Sequence, residues 1–328
     1  MPLETVAVLG GGAWGTALAQ AAAMAGRSTT LVVRDAAQAE EINSQHTNAR
    51  FLGRQALLET IVATTDMQVA DIIILAVPAQ STRAVLMALE PNLLAHRPVI
   101  VAAKGLETGT LERQSQIVLD MAPDAIPYVL SGPSFAADVA AGRPTAVTLA
   151  GDDASGTSAL AAALAGPSFR PYAADDRIGV EVAGALKNIY ALACGAVEGA
   201  NLGASARAAL LARGYAEMAR MVVAMGGSAT TLTGLAGLGD LTLTCTSAQS
   251  RNYQFGIGLG QGRKVGDIIA AGAKLAEGVS TTPVAAELAR TLSVDAPLID
   301  AVNAVLSGSA TIQTIVAGLM SRPLKREE

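Results

Sequence analysis

Short apolar runs recur along the first half of the chain, with helical stretches between them. Residues 5–9, 29–33, 60–64, 71–77, 98–103, 126–130 and 145–150 form such runs; several are rich in Val and Ile, and most end at Gly, Pro or a charge. That is the patterning of buried strands. Segments 14–25, 79–90 and 110–121 carry helical patterns between them. Strands separated by helices predict parallel βαβ units packed on both faces. Right-handed crossovers then give a doubly wound sheet. From about residue 178 the pattern changes. Segments 178–200, 204–225, 266–274, 281–292 and 296–307 are predicted helices, and no strand pattern appears. Asp295-Ala296-Pro297 marks a helix start, because Pro is tolerated in a first turn. A Gly/Thr/Ser-rich loop region is expected over 226–265, and a frayed polar tail over Ser321–Glu328.

The first run leads straight into glycines. Val6-Ala7-Val8-Leu9 is followed by Gly10, Gly12 and Gly15 in a G-x-G-x-x-G spacing, and an Ala-rich helical segment follows from about Trp14 to Ala25. The three glycines allow a tight turn, close backbone approach to a pyrophosphate, and close helix–strand contact. The helix N-terminus adds unpaired N–H groups and partial positive charge. The fold expected is therefore α/β: an N-terminal Rossmann doubly wound sheet over residues 1–180, then an all-helical C-terminal domain over 181–328. The second run, Thr30-Leu31-Val32-Val33, ends in Arg34-Asp35. Arg34 at that strand tip suits a ribose 2′-phosphate and favours NADP(H); an acidic residue there suits NAD(H). Asp35 can serve NAD(H) or cap the next helix.

Composition narrows the class. The chain is 51 % hydrophobic, much of it Ala, with 16 % charged and 3 % aromatic residues, which is globular and not disordered. Its mean hydropathy of +0.40 raises the question of a membrane. The richest apolar stretch, Val180–Val197, contains Glu181, Lys187 and Asn188, so no membrane span is expected. The chain enters a strand at once, with no visible signal peptide. The net charge of −5 argues against a nucleic-acid or anionic-membrane surface. The two cysteines, Cys194 and Cys245, form no C-x-x-C, so no metal site or disulfide framework is expected. Reduced thiols point to a cytoplasmic protein.

In an acidic protein, basic residues within apolar or Gly-rich stretches stand out. Lys104 closes the strand Val99–Ala103, where the carboxyl ends of such strands face the ligand crevice; a solvated strand-end lysine is the plainer reading. Lys187 and Asn188 interrupt the apolar Val180–Val197 helix. Burial disfavours a lysine's charged form and equips it for proton transfer near neutral pH, whereas a snorkelling lysine does neither. The segment Gly234–Asp240 is too glycine-rich to predict a helix, and Ser250-Arg251-Asn252 offers a guanidinium fork between a hydroxyl and an amide, a set suited to phosphate. A polar surface loop is the alternative there. Ser131-Gly132-Pro133-Ser134-Phe135 follows another strand end.

Taken in order, these pieces resemble the bacterial NAD(P)-dependent sn-glycerol-3-phosphate dehydrogenase family. The resemblance runs from Gly10–Thr16 through Ala103–Glu107, Ser131–Ala136, Leu186–Ile189, Gly234–Ser247, Ser250–Asn252 and Glu277-Gly278. It covers nearly the whole chain. It implies reversible reduction of dihydroxyacetone phosphate to sn-glycerol 3-phosphate, supplying glycerophospholipid synthesis, in a homodimer. It implies a proton donor/acceptor role for Lys187, with Lys104 and Asp240 beside it. It implies substrate positions at Lys104, Gly132, Ser134, Lys187, Asp240, Ser250, Arg251 and Asn252. Cofactor positions are implied at Ala13, Trp14, Arg34, Lys104, Ala136, Arg251, Leu275 and Glu277. Three departures stand out. Asp35 replaces a second basic residue, Phe51-Leu52-Gly53 replaces aromatic-Leu-Pro, and Leu275 stands where Val is common. Two other classes share parts of the pattern. A β-hydroxyacid or 6-phosphogluconate-type dehydrogenase also joins such a sheet to helices, but lacks the Gly234–Asp240 and Ser250–Asn252 blocks. A non-catalytic dinucleotide sensor needs neither lysine.

Overall fold

The computed structural model describes residues 3–272 and 276–322. Eight strands form one sheet: β1 (Thr5–Leu9), β2 (Ser28–Val32), β3 (Ile61–Thr64), β4 (Ile72–Leu75), β5 (Pro98–Val101), β6 (Ile126–Ser131), β7 (Thr145–Ala150) and β8 (Phe169–Ala174). Their order is β3-β2-β1-β4-β5-β6-β7-β8. Strands β1 to β6 run parallel to one another. The order reverses between β1 and β4, the switch point at which doubly wound sheets bind ligands. Two apolar clusters cover the sheet: Val6, Val8, Ile72 and Ile74 belong to one, Ala7, Leu9, Ile73 and Leu75 to the other. Burial on both faces is why these strands are continuous apolar runs, not alternating ones.

Fifteen α-helices are present among the described residues. Those preceding and flanking the sheet strands are α1 (Ala13–Met24), α2 (Ala36–Gln45), α3 (Ala49–Leu52), α4 (Thr82–Met87), α5 (Gln114–Met121), α6 (Ala136–Ala140) and α7 (Ala154–Leu164). After β8 come α8 (Arg177–Gly199), α9 (Ala204–Ala224), α10 (Asp240–Thr246), α11 (Arg251–Gly260), α12 (Val265–Ala270), α13 (Glu277–Thr291), α14 (Pro297–Ser307) and α15 (Ile312–Met320). The chain divides into two compact units. One takes the chain up to Gly184 together with Gly226–Asp240, the other Ala185–Met225 and the chain from Leu241 onward. The described residues from Arg177 on contain no strand, as the pattern predicts.

Three expectations need correcting. The parallel sheet ends at β6: β7 pairs with it antiparallel, and β8, which the pattern did not reveal, runs parallel to β7. Strand β8 lies at a sheet edge and carries Pro171 and an exposed Tyr172, so it lacks the apolar run of a central strand. The expected loop over 226–265 is largely helical, with a 3₁₀ turn at Ala229–Thr233, a π-helical turn at Leu235–Gly239, then α10, α11 and α12. Glycine lowers helix propensity, but tertiary packing overrides it. A Cβ at Gly237 would lie 2.1 Å from the Leu232 carbonyl oxygen, so this turn needs glycine in order to close. Residues 273–274 of the helix expected over 266–274, and 323–328 of the expected tail, lie outside the described residues.

Helix α8 is long and apolar enough to cross a membrane, yet its most apolar window is 100 % buried within the protein. It is a core helix. In the second unit the buried carboxylate of Glu217, on α9, accepts the Leu298 and Ile299 N–H groups at 2.9 Å each. It thereby caps α14, whose own N-cap residue Ala296 has no side chain to do so. Tyr190 of α8 donates its hydroxyl to the same carboxylate. Burial pushes the Glu217 carboxyl up to about 7, against the opposing pull of those two N–H groups and of Arg220. The folded state therefore holds a proton there that the unfolded chain releases near the ordinary Glu value. This contribution to stability is present at low pH and is lost as pH rises through about 7. Urea unfolding of wild type should show a loss on the order of 3 kcal/mol from this group between acidic and mildly alkaline buffer. Glu217→Gln should flatten that slope; an unchanged slope would contradict the assignment.

Candidate active site

The glycine turn sits directly after β1. Gly10 has φ +116°, and its N–H donates to the Val32 carbonyl. A Cβ there would lie 2.8 Å from the carbonyl oxygen of Ala76, at the end of the neighbouring β4. A Cβ at Gly15 would lie 1.9 Å from the Gly10 carbonyl oxygen, so α1 can approach the turn only with glycine at that position. Gly12, the N-cap of α1, is different. Its φ of −73° suits any residue, and a Cβ there would meet nothing within 4 Å. Gly10 and Gly15 are thus required by the fold, whereas Gly12 leaves open space at the helix N-terminus. Ala13 and Trp14 form the first turn of α1, and Trp14 Nε1 is buried without a protein partner. Open space, helix-end N–H groups and a spare indole donor fit a dinucleotide pyrophosphate.

Arg34 is exposed just beyond β2. Asp35 caps α2, its carboxylate accepting the Ala37 N–H at 3.0 Å. Capping is the second of the two roles open to it from the sequence.

At the carboxyl end of β5, Lys104 donates from Nζ to Asp240 Oδ2 at 2.7 Å and to the Gly132 carbonyl at 3.2 Å. Ser134 donates its hydroxyl to the same carbonyl at 3.0 Å. Gly132 has φ +144°, and a Cβ there would strike the backbone of Val147, 2.9 Å away. The Lys104 side chain is 13 % exposed and that of Asp240 only 1 %, so the pair is far from a solvated surface contact. The first unit therefore brings Lys104, Gly132, Ser134 and Asp240 together. Ala136 opens α6 close by in sequence.

The second unit holds the other group. Lys187, on α8, is buried and donates to Thr244 Oγ1 at 2.8 Å. It does not snorkel. Asn252 Nδ2 donates to Asn188 Oδ1 at 2.8 Å, and Asn252 Oδ1 accepts the Gly278 N–H at 2.9 Å. Ser250 caps α11, accepting the Tyr253 N–H, and Arg251 opens that helix with an exposed side chain. Glu277 opens α13, half-buried. The Ser250–Asn252 block is a helix start, not the loop that its composition suggested. Leu275 lies outside the described residues. The sequence reading missed Thr244 and the Asn188–Asn252 bond. Thr244 stands four residues after Asp240 in a helix whose existence glycine-rich flanks concealed.

A doubly wound sheet with a glycine turn at its switch point, followed by a helical unit, defines a nucleotide-binding dehydrogenase architecture. Residues 5–157 match the family model for the N-terminus of NAD-dependent glycerol-3-phosphate dehydrogenase, and residues 176–317 the model for its C-terminus. The chain is 49 % identical over 329 residues to the glycerol-3-phosphate dehydrogenase (NAD(P)+) of Rhodopseudomonas palustris, covering 99 % of each. It is 46 % identical to that of Caulobacter vibrioides, covering 100 % of each. The crystal structure of glycerol-3-phosphate dehydrogenase from Coxiella burnetii superposes with a TM-score of 0.92 at 37 % identity, covering 98 % of this chain and 100 % of that one. The chain belongs to the NAD-dependent glycerol-3-phosphate dehydrogenase family.

The contrast between Gly12 and Gly15 is testable. Gly12→Ala should leave thermal stability unchanged but weaken dinucleotide binding, since its methyl enters the open space. Gly15→Ala should lower both. Equal stability losses in the two variants, followed by thermal melts and fluorescence titration, would contradict the assignment.

Proposed function

We propose that this protein reversibly reduces dihydroxyacetone phosphate to sn-glycerol 3-phosphate, with NADP(H) favoured and NAD(H) also used. We further propose that it acts as a cytoplasmic homodimer feeding glycerophospholipid synthesis. Family membership supports the reaction class. The buried Lys187 and the half-buried Lys104, each with hydrogen-bonding partners, are the observation that carries the chemistry. We assign dinucleotide binding to residues 1–180 and most substrate contacts to 181–328.

The nicotinamide, when bound, supplies or removes the hydride at the substrate's C2. Every other task falls to the chain's own side chains. Lys187 holds the proton that the developing alkoxide takes, and its Thr244 bond fixes the direction of the ammonium. Lys104, steadied by Asp240 and the Gly132 carbonyl, adds positive potential and orients the ketone. Arg251 grips the phosphate with Ser250 and the second amide N–H of Asn252, and that binding energy fixes the reacting carbon. Gly132 and Ser134 complete the substrate contacts. Gly10, Gly12, Ala13, Trp14 and Gly15 receive the pyrophosphate. Arg34 meets the 2′-phosphate, while Lys104, Ala136, Arg251 and Glu277 contact the rest of the dinucleotide. Neither histidine competes for the acid–base role: His46 ends α2, and His96 lies between α4 and β5.

Steady-state kinetics with dihydroxyacetone phosphate and each reduced cofactor test the reaction directly; no turnover with either would sink it. Lys187→Ala should retain cofactor binding and lose about 10²–10⁴-fold in turnover, whereas near-wild-type turnover would refute the role. Arg34→Ala should raise KM for NADPH far more than for NADH. Equal rises would count against the 2′-phosphate contact.

A further inference from the structure

The glycine turn is held from behind by two amides that no motif marks. The Gly11 carbonyl accepts Gln38 Nε2 at 2.6 Å and Asn48 Nδ2 at 3.0 Å. The two amides also bond each other, Gln38 Nε2 donating to Asn48 Oδ1 at 3.2 Å. Asn48 Nδ2 donates further to Thr16 Oγ1 at 2.7 Å, and that hydroxyl donates to the Gly12 carbonyl at 2.9 Å. Asn48 is fully buried, at 0 % exposure. All these residues lie in the first unit.

The geometry of the peptide unit gives this network a direction. In a trans peptide the C=O and N–H point opposite ways, and among the described residues there are no cis bonds. With the Gly11 carbonyl turned toward Gln38 and Asn48, the Gly12 N–H must point away from them. With the Gly12 carbonyl drawn along α1 to Thr16, the Ala13 N–H must point out of the helix N-terminus. A Cβ at Gly12 would meet nothing within 4 Å, so that side of the turn is open.

We propose that Gln38 and Asn48 are positioning residues for dinucleotide binding: they lock the Gly11–Gly12 peptide so that the Gly12 N–H faces the pyrophosphate, and Asn48, through Thr16, steadies the Gly12 carbonyl so that the Ala13 N–H does the same. The proposal rests on the dinucleotide reading of the turn given above. Glycines are conformationally free, and a flipped Gly11–Gly12 peptide would aim a carbonyl oxygen at the phosphate. Flipping would also cost Gln38 and the fully buried Asn48 one hydrogen bond each, which opposes the flipped state. Gln38 closes the space as well: a Cβ at Gly11 would lie 2.8 Å from its Nε2 and 2.4 Å from Val33 Cγ1.

The test uses calorimetric titration of the full chain with two ligands. ADP-ribose carries the pyrophosphate; adenosine 2′-monophosphate lacks it. Gln38 is half-buried on α2, so Gln38→Ala should fold, with circular dichroism as the check. Gln38→Glu keeps the shape but removes the donor and sets a carboxylate against the carbonyl. Each should weaken ADP-ribose about tenfold and adenosine 2′-monophosphate by less than about twofold. Asn48→Asp is the companion variant, with the same expected split. In turnover, KM for NADPH should rise while kcat and KM for dihydroxyacetone phosphate hold. Equal losses for the two ligands would mark a merely structural role and overturn the proposal, as would no loss for either. A wild-type protein that binds no ADP-ribose would instead overturn the dinucleotide reading on which it rests.

Discussion

An ammonium group withdrawn from water must find acceptors or give up its charge, and this fold has a buried lysine and a half-buried one to satisfy. Lys104 is met by Asp240 and a backbone carbonyl, and Lys187 by Thr244. Both side-chain acceptors stand on α10, four residues apart and so on one face of that helix. The π-helical turn before α10 sets where the helix begins, and its glycine at 237 lets it pack against Leu232 with no room for a side chain. A glycine-rich segment that looks like a loop is therefore a tight turn that leads directly into the helix carrying both acceptors.

The nucleotide turn follows a different logic. Its outer glycines exist because backbone meets backbone: Gly10 against Ala76, Gly15 against Gly10. Its middle glycine faces open space. The spacing G-x-G-x-x-G thus encodes two packing requirements and one functional requirement. Behind the turn, Gln38, Asn48 and Thr16 donate hydrogen bonds to the carbonyls of Gly11 and Gly12, so the conformational freedom of these two glycines is restricted where an anion needs fixed donors.

Much of this was legible in the sequence because the physics behind it is local. Apolar runs such as Val6–Leu9 and Ile72–Leu75 announce a doubly covered sheet, and the glycines after the first announce the turn. What escaped is non-local. Strand β8 is an edge, so it lacks the buried run that would mark it. Helices α10 and α11 are held by tertiary contacts that override the propensities of Gly, Thr and Ser. Thr244, Asn48 and Gln38 carry no motif, and their partners stand 57, 37 and 27 residues away. The sequence context singled out Lys104, Lys187 and Arg251, and the resemblance supplied the roles expected of them. The structure shows that the two lysines are held by side chains, while Arg251 remains exposed at a helix start.

We propose that Lys187 is the proton donor to the substrate's C2 oxygen. A crystal structure of the ternary complex with NADP+ and sn-glycerol 3-phosphate tests it most directly. The proposal predicts Lys187 Nζ within about 3.2 Å of the substrate's C2 oxygen. A substrate bound with its C2 oxygen beyond hydrogen-bonding reach of Lys187 would contradict it.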